Sequence, residues 1–299
     1  MPGFWPTESA LSAHIVPPLA ALFRLIRLRN QTGTLLLLLP TLWALVLAFR
    51  GLPPWRLAVI FILGSFLMRS AGVVLNDLAD RSLDRHVART RSRPLASGEL
   101  ASRHAVAILI VLITLAAALL LLLDPMTIML SPIALLLAAL YPFAKRVIHI
   151  PQAMLGLAFG WGTIMAWSAA QGTVTTTAWC LYAATLCWAI GYDTIYALQD
   201  RDDDRRIGVK SSAIFFGSLA WLAVGMALGG MLLLLSLAGW LTQVGWLYYL
   251  VLIAVGFFCI WQVRQLRHNI SASTALSMFQ QHVWIGTAVL GGLLGGFLV

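Results

Sequence analysis

The chain reads as an all-α integral membrane protein, nine transmembrane helices in a single bundle with the active site at the cytoplasmic side. Three observations predict this. Of 299 residues, 60% are hydrophobic and 10% charged, with a mean hydropathy of +0.88, whereas a soluble domain is about 25% charged. Apolar stretches long enough to cross a bilayer, which takes about 20 residues in a helix, recur along the whole length. The charges are sorted between the connecting loops, as membrane insertion demands.

The expected spans are 33–50, 55–76, 104–123, 126–143, 151–170, 177–199, 213–238, 244–263 and 282–298. The first contains Pro40 and the fourth Pro132, which neighbouring helices in a packed bundle can accommodate. Residues 1–299 form one membrane domain, with 1–32 as an N-terminal interfacial segment. Within that segment Leu19–Leu28, carrying Arg24 and Arg27, reads as an amphipathic lead-in helix. Residues 1–23 lack the basic start and continuous apolar run of a signal peptide and contain Pro6, Pro17 and Pro18. Cys180, Cys187 and Cys259 all fall inside spans, without a paired spacing, and read as buried thiols.

With nine spans, seventeen basic residues lie on one side of the membrane, from Arg24 to Arg267, against Arg50 and Arg56 on the other. The remaining one, Arg69, lies late in span 2. The basic side is expected to be cytoplasmic, or the matrix side in a mitochondrion, and the net charge of +9 is a topology signal rather than a nucleic-acid footprint.

The acids are more selective still. Of eleven, only Glu8, Glu99 and Asp124 lie outside two short clusters. The first is Asn76-Asp77-Leu78-Ala79-Asp80-Arg81-Ser82-Leu83-Asp84, after span 2. The second runs from Asp193 through Tyr196 and Asp200 to Asp202, Asp203 and Asp204, after span 6. Both fall on the basic side, so they can share one site. Asp77, Asp80 and Asp84 follow the spacing of one helix face, as do Asp193, Asp200 and Asp204. Each cluster has Asp-x-x-x-Asp, and the two lie about 120 residues apart, which suggests a pseudo-repeat with the site at its interface. Carboxylates at a membrane boundary are costly and mark function. Facing sets would hold Mg²⁺, which favours a few carboxylates combined with substrate phosphate oxygens. Flanking Arg and Lys would meet the remaining phosphate charge. Isolated acidic runs are often only solvated caps, and Asp202 and Asp203 fit that description. The six histidines lack the close spacing of a metal set, and most tryptophans sit near span ends, as in an interfacial belt.

These residues resemble the UbiA superfamily of intramembrane prenyltransferases. The likeness rests on the Asn76–Asp84 motif, Arg93-Pro94-Leu95-Ala96-Ser97-Gly98, the Tyr141 to Lys145 spacing, and Tyr192–Asp204 continuing into Ile207–Ser211. It covers nearly the whole chain. Gly33–Leu45, Tyr141–Arg146, Leu155–Gly162 and Tyr192–Asp204 are most similar to the branch that acts on 4-hydroxybenzoate. The resemblance implies transfer of a polyprenyl group from an allylic polyprenyl diphosphate to that ring, in ubiquinone biosynthesis. It also implies a bacterial cytoplasmic (inner) membrane location, and other quinone-pathway enzymes as further partners. Mg²⁺ and diphosphate would be held by Asn76, Asp77, Asp80, Asp84, Asp200 and Asp204. Lys145 and Tyr141 would contact the diphosphate, with Arg91, Arg93, Arg201 and Lys210 as further contacts. Asp193, with Asp77 and Asp200, is a candidate catalytic residue that orients the acceptor or assists ionisation, and Arg29 is a candidate for the acceptor's carboxylate. Homogentisate, a naphthoate, haem or a glycerol phosphate lipid are alternative acceptors sharing the same metal site. A divalent-cation transporter is the rival of another class, though it would need acids on both sides for alternating access.

Overall fold

The computed structural model describes residues 19–87 and 89–299, apart from the side chains of Lys145 and Ile207. Glu8, His14 and the early prolines therefore lie outside the described residues. The described residues are all-helical, without strands. A short lead-in helix α1 (Leu19–Leu25) precedes α2 (Thr32–Phe49), α3 (Trp55–Ala79) and the single turn α4 (Arg81–Asp84). Then come α5 (Ser102–Leu120), α6 (Pro125–Val147), α7 (Pro151–Gln171) and α8 (Thr176–Ala197), followed by the short α9 (Arg201–Ile207) and α10 (Ser212–Phe216). The chain closes with α11 (Ala220–Leu241), α12 (Trp246–Gln265) and α13 (Ala272–Gly296).

Among the described residues seven helical stretches are long and apolar enough to cross a membrane: α2, α3, α5, α6, α7, the run from α10 through α11, and α12. Two more, α8 and α13, match them in length at 22 and 25 residues. Their lower apolarity has a local cause. α8 carries Thr185, Tyr192, Asp193 and Thr194, and α13 carries Ser273, Thr274, Gln280, Gln281 and His282, where the other helices carry leucine.

α8 is the hub of the bundle, packed against α7, α11, α13 and α2. Around it Trp43, Trp188 and Tyr248 are fully buried, the indoles of Trp43 and Trp188 lying 5.0 Å apart. Their polar edges are satisfied inside the core, as buried indoles require. Trp43 Nε1 donates to the Gly286 carbonyl at 3.0 Å and Trp188 Nε1 to His282 Nδ1 at 2.9 Å. Gly286 permits this approach, since a β-carbon there would fall 2.7 Å from both Leu39 and Trp188. A smaller apolar cluster, with Leu25, Val74, Leu95 and Leu100 at its centre, seats α1 and the loop after α4 on α3 and α5.

Two boundaries differ from the sequence expectation for identifiable reasons. The final helix begins at Ala272, ten residues before the expected 282. Ser271 caps it by accepting from the Thr274 amide at 3.1 Å, and in its polar first turns only Ala275 and Met278 are buried. The stretch expected at 213–238 is interrupted at Gly217, whose φ of 53° ends α10 before α11 begins.

Candidate active site

Neither acidic motif is one continuous helix. α3 stops at Ala79, Asp80 takes φ −96° and ψ 2°, and α4 begins at Arg81. In the second motif α8 gives way to a turn, Asp200 takes φ −100° and ψ 1°, and α9 begins at Arg201. The Asp84 amide still reaches the Asp80 carbonyl at 2.9 Å, and the Asp204 amide the Asp200 carbonyl at 2.8 Å. The same backbone pause thus occurs at the same motif position in both copies, which supports the pseudo-repeat.

Both motifs line one polar cavity of about 350 Å³. Asn76, Asp77, Asp80 and Asp84 form one wall, and Asp193, Asp200 and Asp204 the other, with Tyr141, Arg93 and Lys210 also facing it. Arg29, Arg91 and Arg201 do not line it: Arg29 and Arg91 are exposed, and Arg201 is half-buried. The Lys145 side chain lies outside the described residues.

Four arginines from three segments answer the aspartates. Arg93 Nη1 donates to Asp77 at 3.1 Å and to Asp84 at 2.8 Å. Arg27, reaching over from the end of the lead-in segment, donates to Asp77 at 3.0 Å. Burial pulls the Arg27 guanidinium below its ordinary pKa, and Asp77 opposes that pull. Arg146 stands 4.0 Å from Asp80. Arg89 grips Asp200 with two parallel bonds of 3.0 and 2.7 Å, so the loop after the first motif is tied to the second. Burial works against the Arg89 charge, but Tyr196 and Asp200 hold it above its ordinary value. The loop is itself pinned: Arg81 and Arg85 donate to the Leu95 and Ala96 carbonyls, and Arg24 pairs with Glu99.

The cavity continues inward. At its floor Arg69, Tyr141, Leu155 and Phe159 also line a second cavity of about 350 Å³, walled by Phe61, Met68, Ile113, Leu120 and Met165 among other apolar side chains. The Arg69 guanidinium lies over the Phe159 ring, 5.7 Å from its centre. A charged chamber thus adjoins an apolar one, with Arg69 in the wall they share.

The donor chemistry of the charged chamber, carboxylate oxygens beside the Asn76 amide, suits a hard divalent cation. Among the described residues no three His, Cys, Asp or Glu side chains converge closely enough to cage an ion. Mg²⁺ does not require such a cage, since it commonly binds through one or two carboxylates and substrate phosphates.

A profile of the UbiA prenyltransferase family matches residues 37–286. The chain belongs to that family. The family's structures share the fold: an apo UbiA homologue from Aeropyrum pernix superposes with a TM-score of 0.77 at 23% identity, covering 89% of this chain and 98% of that one. An Archaeoglobus fulgidus homologue bound to GPP and Mg²⁺ gives 0.64 at 19% identity, over 93% of this chain and 100% of that one. Sequence relatives are nearer. A Pectobacterium carotovorum protein is 47% identical over 274 residues, 91% of this chain and 95% of its own length. One from Serratia proteamaculans is 44% identical over 269 residues, 90% of this chain and 92% of its own. Both are named 4-hydroxybenzoate octaprenyltransferase.

Arg27, Arg69 and Arg89 were not expected at the site. In the sequence they are indistinguishable from basic anchors of the cytoplasmic side. The one signal was Arg69, placed within a span rather than in a loop. Phe279 and Gln280 of α13 also line the cavity. Their signal was the helical spacing of Ala275, Met278, His282 and Ile285, all buried.

Proposed function

We propose that this protein transfers a polyprenyl group from an allylic polyprenyl diphosphate to the ring of 4-hydroxybenzoate, in ubiquinone biosynthesis. The observation that carries the reading is the pair of joined chambers, one lined by two aspartate motifs with their arginines and the other apolar. A diphosphate fits the first and a prenyl chain the second. The names of the relatives at 44–47% identity support the aromatic acceptor.

Asn76, Asp77, Asp80, Asp84, Asp200 and Asp204 are the residues suited to hold Mg²⁺ with the diphosphate. Bound there, Mg²⁺ would supply electrostatic stabilisation of the departing diphosphate. Arg27 and Arg93, now spent on Asp77 and Asp84, are placed to turn to phosphate oxygens, and Lys210 to add further positive charge; Lys145 is a further candidate by its motif alone. The allylic C–O bond breaks with its electron pair leaving on the diphosphate. The ring carbon ortho to the acceptor's hydroxyl takes the allylic carbon, and loss of the ring proton restores aromaticity. The apolar chamber keeps water from the cation, and Asp193 stands at the wall to orient the acceptor. For the acceptor's carboxylate, Arg69 at the junction is the better-fitting cation than Arg29, because Arg69 lines both chambers and Arg29 lines neither. Nine helices cross the membrane in this reading, with α8 largely buried at the hub of the bundle. The seventeen-to-two distribution of basic residues supports a charged chamber on the cytoplasmic side, and a bacterial inner membrane is the location that goes with this reading.

The test is a membrane assay with radiolabelled 4-hydroxybenzoate and a polyprenyl diphosphate, in Mg²⁺ and in EDTA. The expected result is lipid-extractable label that requires Mg²⁺ and falls at least about a hundredfold in Asp77→Ala and Asp200→Ala. Folded protein that labels homogentisate or a naphthoate and not 4-hydroxybenzoate would replace the acceptor.

A further inference from the structure

The charged chamber has one wall on which buried polar groups lack partners. Gln152 is 4% exposed, Ser211 5% and Tyr192 1%. Gln152 Oε1, Ser211 Oγ and Tyr192 Oη find no hydrogen-bond partner among the described residues, yet all three residues line the cavity. An unmet buried polar group costs about 1–3 kcal/mol, and each such case in a native protein calls for an explanation. Gln152 Oε1 can only accept a hydrogen bond, so it is matched to a hydroxyl that donates one rather than to a diphosphate oxygen, which cannot.

Gln152, Leu155 and Phe159 stand at i, i+3 and i+7 on α7 and all face the cavity, which makes a strip on one helix face. At 1.5 Å per residue, the strip from Gln152 to Phe159 is about 10 Å long. Its near end is an amide oxygen. Its far end is Phe159 with the Arg69 guanidinium over the ring at 5.7 Å. Between them lies apolar surface. A hydrogen-bond acceptor, an apolar strip and a cation in line are the complement of a para-hydroxy aromatic acid. Ser211 joins the near end because Lys210 Nζ donates to the Val147 carbonyl at 2.6 Å, holding that stretch against the connection leading into α7.

We propose that Gln152 and Ser211 form the subsite for the acceptor's phenolic hydroxyl. The inference rests on the acceptor assignment made above. A phenolic oxygen donates one hydrogen bond and accepts another: Gln152 Oε1 takes the donated one, and Ser211 Oγ supplies the other. As the ring carbon bonds to the allylic carbon, positive charge moves onto the hydroxyl, and the bond to Gln152 Oε1 strengthens. The subsite thereby fixes which ring position meets the prenyl carbon and selects acceptors that carry a hydroxyl.

The experiment compares wild type, Gln152→Met and Ser211→Ala, each purified in lipid nanodiscs with saturating prenyl diphosphate. KM for 4-hydroxybenzoate is set beside the inhibition constant of benzoate, which has the carboxylate but no hydroxyl. The expected result is KM raised about tenfold in each variant with benzoate inhibition unchanged. Parallel loss of both would overturn the proposal in favour of a scaffold role, and an unchanged KM would overturn it in favour of a water-filled wall. Thermal unfolding checks the fold, and if Gln152→Met fails that check Ser211→Ala decides. Wild type inactive on 4-hydroxybenzoate would instead remove the acceptor assignment. Wild type active with either contrary pattern removes only the subsite.

Discussion

Replacing Arg89 with glutamine cuts the one tie between the loop after the first aspartate motif and the second motif for which hydrogen bonds are seen on both carboxylate oxygens. The two bonds to Asp200 measure 3.0 and 2.7 Å, and the side chains are 41% and 18% exposed, so solvent screens much of the attraction. Exposed ion pairs contribute about 0.2–1 kcal/mol, and bidentate geometry favours the upper end, which sets the pair near 1 kcal/mol. Arg89 takes up one lone pair on each Asp200 oxygen and so competes with a cation for that carboxylate. Removing the competitor should therefore tighten divalent-ion binding by about fivefold, the equilibrium factor that corresponds to 1 kcal/mol. The assay is Mn²⁺ binding followed by electron paramagnetic resonance, in nanodiscs without prenyl diphosphate. The difference between variant and wild type should shrink as salt is raised, because the lost pair is partly exposed. Equal affinity in the two proteins, or weaker binding in Arg89→Gln, would refute the competition argument.

Two further outcomes follow from the packing and from the junction of the chambers. Gly286→Ala places a β-carbon 2.7 Å from Leu39 and from Trp188 and should lower stability by about 1–3 kcal/mol; an unchanged thermal unfolding midpoint would show that the core yields there. Arg69→Ala should raise KM for 4-hydroxybenzoate about tenfold or more, as loss of a charge-assisted bond to a carboxylate does, while Arg29→Ala leaves it within about twofold. The reverse order would return the carboxylate to the N-terminal segment.

The membrane class and both aspartate motifs were legible because burial of charge in lipid is so costly that position alone carries information. Asp77 and Asp200 could be singled out without a structure for that reason. The arginines could not. Arg27, Arg89 and Arg146 sit where topology already explains a positive charge, and only tertiary contact separates an anchor from a partner of Asp77, Asp200 or Asp80. Gln152 was silent for a different reason. A lone amide near a helix start has many bland explanations, and its significance comes from being buried on a cavity wall without a partner. The expected unbroken helix face through Asp77, Asp80 and Asp84 proved to be two helices meeting at Asp80, a pause that spacing alone cannot reveal because the hydrogen-bond ladder resumes one residue later. The early start of α13 was hidden by its polar first turns, which hydropathy reads as loop; they are largely exposed, and Ala275 and Met278 alone are buried there.

The matched pauses at Asp80 and Asp200 have a consequence for how such a molecule can arise. Four long helices separate them, an even number, so the second motif returns to the same end of the bundle as the first without any part of the chain being turned upside down. A half-length chain bearing one motif could have assembled the whole chamber by pairing with its own copy in the same orientation. Joining the halves then frees each to specialise, and the present chain bears that mark: Asn76 and the long arginine-bearing loop follow the first motif, Asp202 and Asp203 crowd the second. The unmatched helix is α13, which packs on α2, α8 and α12 and closes the seam that two equal halves would have left open.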